Sequence, residues 1–368
     1  MAIADLRNPI LAGRFSSWNG KVGNFVVSPD LPRELEELPS GPTYVQVAAP
    51  DGAVATGSIE IPEPPDARDR FRLFSELLAH GSSQTWPERP RLPQVALWKV
   101  EERATFQQVS PRKARRRGYT LLLENERAMI LEFSEGKDCP SLYARLPPSK
   151  RALEIHFPLA GDLYAAPREI LGLDRLALAT TTERLAEAFL GFLRTDLNNS
   201  ADLVGERLVK AATETLRRNE ALSVIDRIAL AHIAIRGGMS AQMIEVFKAA
   251  LKPDDPLTTP DLYALHWLVD FSRANSLSGF GKRLLEALTH LKESMPICSE
   301  TVRQVMGLSS FIRDDLEAED QYPPELDGMF EWLRRLCDAM VWEVPFTTFH
   351  GRSPLDPVAQ ATSVAKKK

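Results

Sequence analysis

The spacing of apolar positions changes once along the chain, near residue 165. Before it, β-branched and aromatic residues alternate with polar ones in short runs bounded by turn residues, a period of two that predicts strands. Residues 44–61, YVQVAAPDGAVATGSIEI, predict a hairpin turning at Pro50-Asp51-Gly52, where Asp-Gly supplies the positive φ angles of a tight turn. Residues 94–109 predict a second hairpin turning at Glu101-Glu102-Arg103, and 118–134 a third at Glu124-Asn125-Glu126. Residues 151–157 predict a further strand, and Trp18-Asn19-Gly20-Lys21 another turn. One amphipathic helix, Asp66–Ala79, interrupts the series.

After residue 165 the period becomes 3.6. Thr182–Leu193 places Leu185, Ala186, Phe189, Leu190 and Leu193 on one stripe. Further helical patterns begin near Ala201, Ser223, Ser240, Pro260, Phe280, Ser299 and Pro324, separated by Gly237-Gly238 and by Pro253 and Pro256. Starts recur about every 20 residues, the spacing of stacked helical hairpins. The expected fold is therefore α+β with two domains. Residues 1–165 form an antiparallel β sandwich or open barrel with one helix, and 166–345 an all-α helical hairpin stack. A Pro-containing tail follows over 346–368.

Composition narrows the function classes. A chain of 368 residues suits about two domains, and its 44% hydrophobic and 26% charged residues are those of a globular protein. The net charge of −5 gives no global attraction for nucleic acid. Residues 1–166 hold 21 basic and 21 acidic side chains, so the negative excess lies in the helical half. Three widely spaced cysteines, Cys139, Cys298 and Cys337, argue against a disulfide framework and for a reducing cytoplasm. No run approaches the roughly 20 apolar residues that span a bilayer, and no leader precedes the first strand, so a cytoplasmic location is expected.

Motifs for chemistry are sparse. There is no HExxH, no paired CxxC and no GxSxG, so no metal or cofactor is expected and no serine-hydrolase elbow. Gly279-Phe280-Gly281-Lys282 departs from the phosphate-loop spacing, with Ser276 where a glycine belongs and Arg283 in place of Ser/Thr; it reads as a helix start. Gly52 to Ser58 lacks the lysine and lies inside a hairpin. Asp254-Asp255, Asp314-Asp315 and the acidic run Glu317, Glu319 and Asp320 read as solvated helix ends. His266, in LYALHWLVD, reads as part of a buried helix face.

His80-Gly81 followed by Cys139 has a caspase-like order, but His80 ends an amphipathic helix and Cys139 sits in the polar turn EGKDCPS. Neither context suits a nucleophile and its base.

The C-terminal half resembles a known architecture through four segments. They are SADLVGERLVKAATETLRRNEALSVIDRIALAHIAIRGG (200–238), PDDPLTTPDLYALHWLVD (253–270), MPICSETVRQVMGLSSFIRDD (295–315) and VPFTTFHG (344–351). Their order resembles the helical accessory region downstream of the peptidase domain in some bacterial caspase-like proteins. No strand runs into a His-Gly or into a nucleophile cysteine here, so no catalytic residue carries over. The resemblance implies a stand-alone non-catalytic part, a companion or scaffold for a peptidase or another effector.

The leading expectation is thus a non-catalytic interaction protein whose partner is another protein. Its candidate docking residues are the basic run Arg112, Lys113, Arg115, Arg116 and Arg117, which reads as a loop between two strands, and Trp86 in the Pro-flanked TWPERP. Trp332 and Trp342, ten residues apart on the last helix, read as core. The rival class is an enzyme whose site assembles from distant residues, such as a Cys139/His156 hydrolase. Nucleic-acid binding through 112–117 is a third reading, weakened because no aromatic interleaves the arginines.

Overall fold

Local turn chemistry sets the first hairpin of the chain. In the computed structural model, β1 (Leu11–Ser17) and β2 (Val22–Val27) are antiparallel partners. Gly20 takes φ 80° in the turn, and the Ser17 hydroxyl both donates to the Lys21 carbonyl at 3.0 Å and accepts the Lys21 amide at 3.1 Å. The structure describes residues 10–17, 20–28, 40–50, 54–61, 72–74, 77, 94–101, 105–109, 114–117, 120–124, 129–134, 141–148, 152–156, 174–175, 181–274, 276–342 and 346–358. The protein is α+β with two domains, antiparallel sheets in its N-terminal part and stacked helices in its C-terminal part.

The two compact units do not follow the change of period at 165. One comprises residues 1–90 and 174–250, the other 91–173 and 251–368. Each therefore combines strands from the first half with helices from the second.

In the first unit a four-stranded sheet has the order β2-β1-β3-β4, with β3 at Gly41–Ala48 and β4 at Val54–Ile61. The hairpin read at residues 44–61 is β3–β4, paired from Ala48↔Val54 to Gly41↔Ile61. Alternation sends Leu11, Phe15, Phe25, Val27, Val45, Val47 and Ile61 to one face, where Phe74 covers them and stacks on Phe25 at 4.7 Å. Arg72, Leu73, Phe74 and Leu77 have helical backbone; the rest of the helix read at Asp66–Ala79 lies outside the described residues. Two glycine–aromatic pairs, Gly13↔Phe25 and Phe15↔Gly23, hold the β1–β2 register. A Cβ on Gly23 would lie 2.8 Å from the Phe15 ring, so only glycine admits the ring there.

Four helices complete this unit: α1 (Thr181–Arg194), α2 (Asn198–Arg217), α3 (Val224–Ile235) and α4 (Ala241–Leu251). α3 is apolar nearly all round and is correspondingly buried along its length. Ser223 and Asp226 form its capping box, and Gly237 (φ 76°) ends it, with Gly238 donating back to the Ile233 carbonyl. The same C-terminal closure recurs at α1, where Asp196 (φ 58°) takes the left-handed position and Leu197 donates to the Phe192 carbonyl. That corner turns the chain sharply into α2.

In the second unit, β5 (Gln94–Glu101) pairs with β6 (Thr105–Val109) as the sequence predicts. The third predicted hairpin does not form. β8 (Thr120–Glu124) pairs with β7 (Ala114–Arg117) and β11 (Ala152–His156), whereas β9 (Met129–Ser134) pairs with β5 and β10 (Ser141–Leu146). The two runs join different sheets, each claimed by partners on both sides. Residues 346–368 are not simply a tail: β12 (Thr348–Ser353) pairs with β10, and β13 (Asp356–Pro357) with β12. Four helices follow the sequence reading closely: α5 (Pro260–Phe271), α6 (Phe280–Ser294), α7 (Ser299–Ala318) and α8 (Glu325–Ala339).

Candidate functional site

Two arrangements of polar groups stand out, one in each unit. The first is a cleft of about 330 Å³ in the first unit, between the outer face of the four-stranded sheet and the start of α2. Its sheet wall is Ala12, Arg14, Gln46, Ala48 and Val54; its helical wall is Asp196 to Ser200 and Leu203. Strand register builds the sheet wall, because Ala12 faces Ala48, Ala48 faces Val54, and Arg14 faces Gln46. The Asp196 corner builds the other by aiming the first turn of α2 at those strands.

α2 begins without a side-chain cap, since its N-cap residue is Leu197. Its first intrahelical bond runs from the Ala201 amide to the Leu197 carbonyl, and the amides of Asn198, Asn199 and Ser200 find no acceptor among the described residues. Ser200 as a whole residue is 8% exposed and lines the cleft. Arg14 is exposed and, among those residues, makes no ion pair or hydrogen bond.

The second arrangement lies wholly inside the second unit. Arg145 on β10 has no solvent exposure, and its guanidinium donates to five main-chain carbonyls. Nε reaches Ser294 at 3.0 Å and Met295 at 3.3 Å; Nη1 reaches Met129 at 3.0 Å and Leu146 at 3.1 Å; Nη2 reaches Leu257 at 2.7 Å. Burial pulls this guanidinium down to about 10, and the charge of Asp261 opposes that shift. Asp261, also without exposure, accepts the amides of Ile297 at 2.6 Å and Cys298 at 2.9 Å. Burial raises the Asp261 carboxyl above its ordinary range; those two amides and the Thr301 hydroxyl hold it back. The loop between α6 and α7 is thus gripped by a cation on its carbonyls and an anion on its amides. Met295, at φ 60°, sits between them with its side chain fully buried. These ionised groups are saturated by backbone, so the arrangement works as a clamp on the fold.

The sequence-derived candidates fall elsewhere. Arg115, Arg116 and Arg117 are not in a loop: they lie in β7, opposite Leu122, Leu121 and Thr120 of β8. Arg112 and Lys113, Trp86, His80 and Cys139 lie outside the described residues, and His156 is the last residue of β11. His266 is half-exposed rather than buried, with Nδ1 3.7 Å from an Asp270 oxygen, because the apolar stripe of α5 passes through Leu262, Leu265 and Val269. Trp332 is core, but Trp342 lies beyond the end of α8 at Ala339 and is half-buried. Cys298 is buried, and burial with the neighbouring Asp338 pushes the Cys337 thiol up to about 11, away from nucleophilic use. Gly279 and Gly281 open α6 as expected; a Cβ on Gly281 would strike the Gln321 carbonyl. Asp314, Asp315, Glu317, Glu319 and Asp320 are exposed at the end of α7.

Sequence reasoning missed Arg14, Ser200, Arg145 and Asp261. The helical start read near Ala201 would make Ser200 a capping residue, whereas the helix begins at Asn198 with Leu197 at its N-cap.

Residues 188–367 match the family model of the Y4kD C-terminal domain. That region runs from within α1 past β13, and the family description names no activity, ligand or partner. No curated protein and no solved structure matches the chain. Among the described residues no helix is long and apolar enough to cross a membrane, and no group of His, Cys, Asp and Glu is placed to hold a metal ion.

Proposed function

We propose that the protein is a non-catalytic interaction protein that docks another protein on the outer face of the four-stranded sheet. One observation carries this reading. Val22 of β2 and Tyr44 of β3 flank Ser16 of β1 in a single row across three strands, and they are 73% and 53% exposed. Apolar side chains of this size presented together on a sheet face are a docking feature, and tyrosine is among the residues that dominate interface energies. The partner is a protein chain offering apolar side chains to this row; a caspase-like peptidase or another effector is the class that the C-terminal resemblance implies.

The test uses the full chain tagged and expressed in its native cells. The wild type is expected to elute in size-exclusion chromatography with a stoichiometric second protein. The double variant Val22→Glu, Tyr44→Ser is expected to elute without it at unchanged circular dichroism. Co-elution of the same protein with both forms contradicts docking on this face.

A further inference from the structure

We propose that the protein pairs with a second copy of itself through the exposed face of α7, the two helices running antiparallel about a two-fold axis at the level of residue 309. The proposal concerns the second unit and does not rest on the docking reading, whose row lies on the sheet of the first.

The two faces of α7 are put to opposite use. Val302, Val305, Ile312 and Leu316 are buried along one stripe. The opposite face carries Arg303, Gly307, Phe311, Asp314 and Ala318 at spacings of four, four, three and four, which keeps them in one row. Phe311, at the centre of that row, is 68% exposed. Gly307, one turn before it, is exposed, and a Cβ there would meet nothing within 4 Å. Glycine inside a helix costs about 1 kcal/mol against alanine, and no neighbour among the described residues requires it here. A projecting ring one turn from a hollow is self-complementary, because reversing the helix direction sets each ring over the other copy's hollow.

Charge selects the direction. Asp314 and Asp315 make no ion pair among the described residues, whereas Arg313 beside them is held by Glu317 and Asp327. Parallel helices would set the two aspartate pairs against each other. Antiparallel helices centred on residue 309 set each pair opposite Arg303 and Gln304 of the second copy, with Phe311 opposite Gly307. Glu300 already pairs with Arg303 at 2.9 Å, and a guanidinium has donors for both carboxylates. The two Phe311 residues then stand about 6 Å apart along the helices, within the range of interacting rings. One pair of 20-residue helices buries less than a standard interface, so the dimer forms at micromolar concentration.

Sedimentation of the full chain across micromolar concentrations tests this. The wild type is expected to pass from one copy to two and no further. Phe311→Ser and Gly307→Gln are each expected to weaken the dimer about ten-fold or more. Val246→Ser, at an apolar residue 56% exposed on α4, is expected to leave it unchanged. Arg303→Asp and the double variant Asp314→Arg, Asp315→Arg are each expected to weaken it, and the three changes together to restore it to within about three-fold of the wild type. Restoration requires that these side chains meet across the axis, which a parallel pair or a different face does not allow. A single copy throughout, assembly beyond two copies, a dimer indifferent to Phe311→Ser, or no restoration by the charge exchange each overturns the proposal. The substituted positions are exposed or half-exposed, so the variants keep the fold. Melts of Gly307→Ala run below this concentration range read the single chain, where the added methyl meets nothing.

Discussion

Arg145 shows how a single side chain organises the second unit. Five carbonyls from four separate segments converge on one guanidinium, and no other side chain supplies donors in so rigid a fan. Arg145→Met would leave those carbonyls without their donor and the Asp261 charge uncompensated. We expect a loss of about 3–5 kcal/mol, read as a lower urea midpoint, and only partial recovery with lysine, whose point charge cannot span the fan. His350 gives the molecule an acid-sensitive position. Burial lowers its basicity in the folded chain below the ordinary 6.5. The unfolded chain therefore binds the proton first, so this residue's contribution is complete above pH 6.5 and declines as pH falls below it. His350→Gln should flatten the stability slope below about pH 6.5, by up to about 1.4 kcal/mol per pH unit. An unchanged slope would show that His350 does not titrate in this range.

At the scale of elements, what could be read from sequence was what local chemistry decides. Helix starts at Ser223, Pro260 and Phe280 follow from a capping serine, a proline at the first turn and an apolar stripe, all short-range signals. The β1–β2 hairpin follows from the positive φ of Gly20, and the β3–β4 pairing lies where the sequence placed a hairpin. The failures are those of long-range pairing. Nothing within residues 118–134 tells that β8 is taken by β7 and β11 before β9 can reach it, because sheet partners are selected by the whole fold. The run of arginines at 115–117 reads as a loop by strand propensity, yet it pairs with β8 as the last described strand of that sheet. The candidate cleft was illegible for the same reason, since Arg14 and Ser200 are 186 positions apart and meet only through the folding of β1 against α2. Gly281 and Gly307 separate two uses of glycine inside helices. Gly281→Ala would drive a Cβ into the Gln321 carbonyl, whereas a Cβ on Gly307 meets nothing within 4 Å. Thermal melts should show Gly307→Ala stabilised by about 0.5–1 kcal/mol and Gly281→Ala destabilised.

The whole molecule is assembled twice from both halves of its sequence, each unit drawing most of its strands from the first 173 residues and its longer helices from beyond residue 173. Within the first unit, the buried ionisable and aromatic groups serve packing, and the outer sheet face is left with Val22, Tyr44 and Val54 exposed. That contrast is the reason for placing function on the face. The most direct measurement replaces Tyr44 with a photo-crosslinking amino acid in the full chain, in native cells, with the same replacement at the exposed Lys210 of α2 as control. A single discrete adduct at position 44, absent at 210 and abolished by Val22→Glu, is the predicted result. No adduct at 44, or the same adducts at 44 and 210, would contradict docking on this sheet.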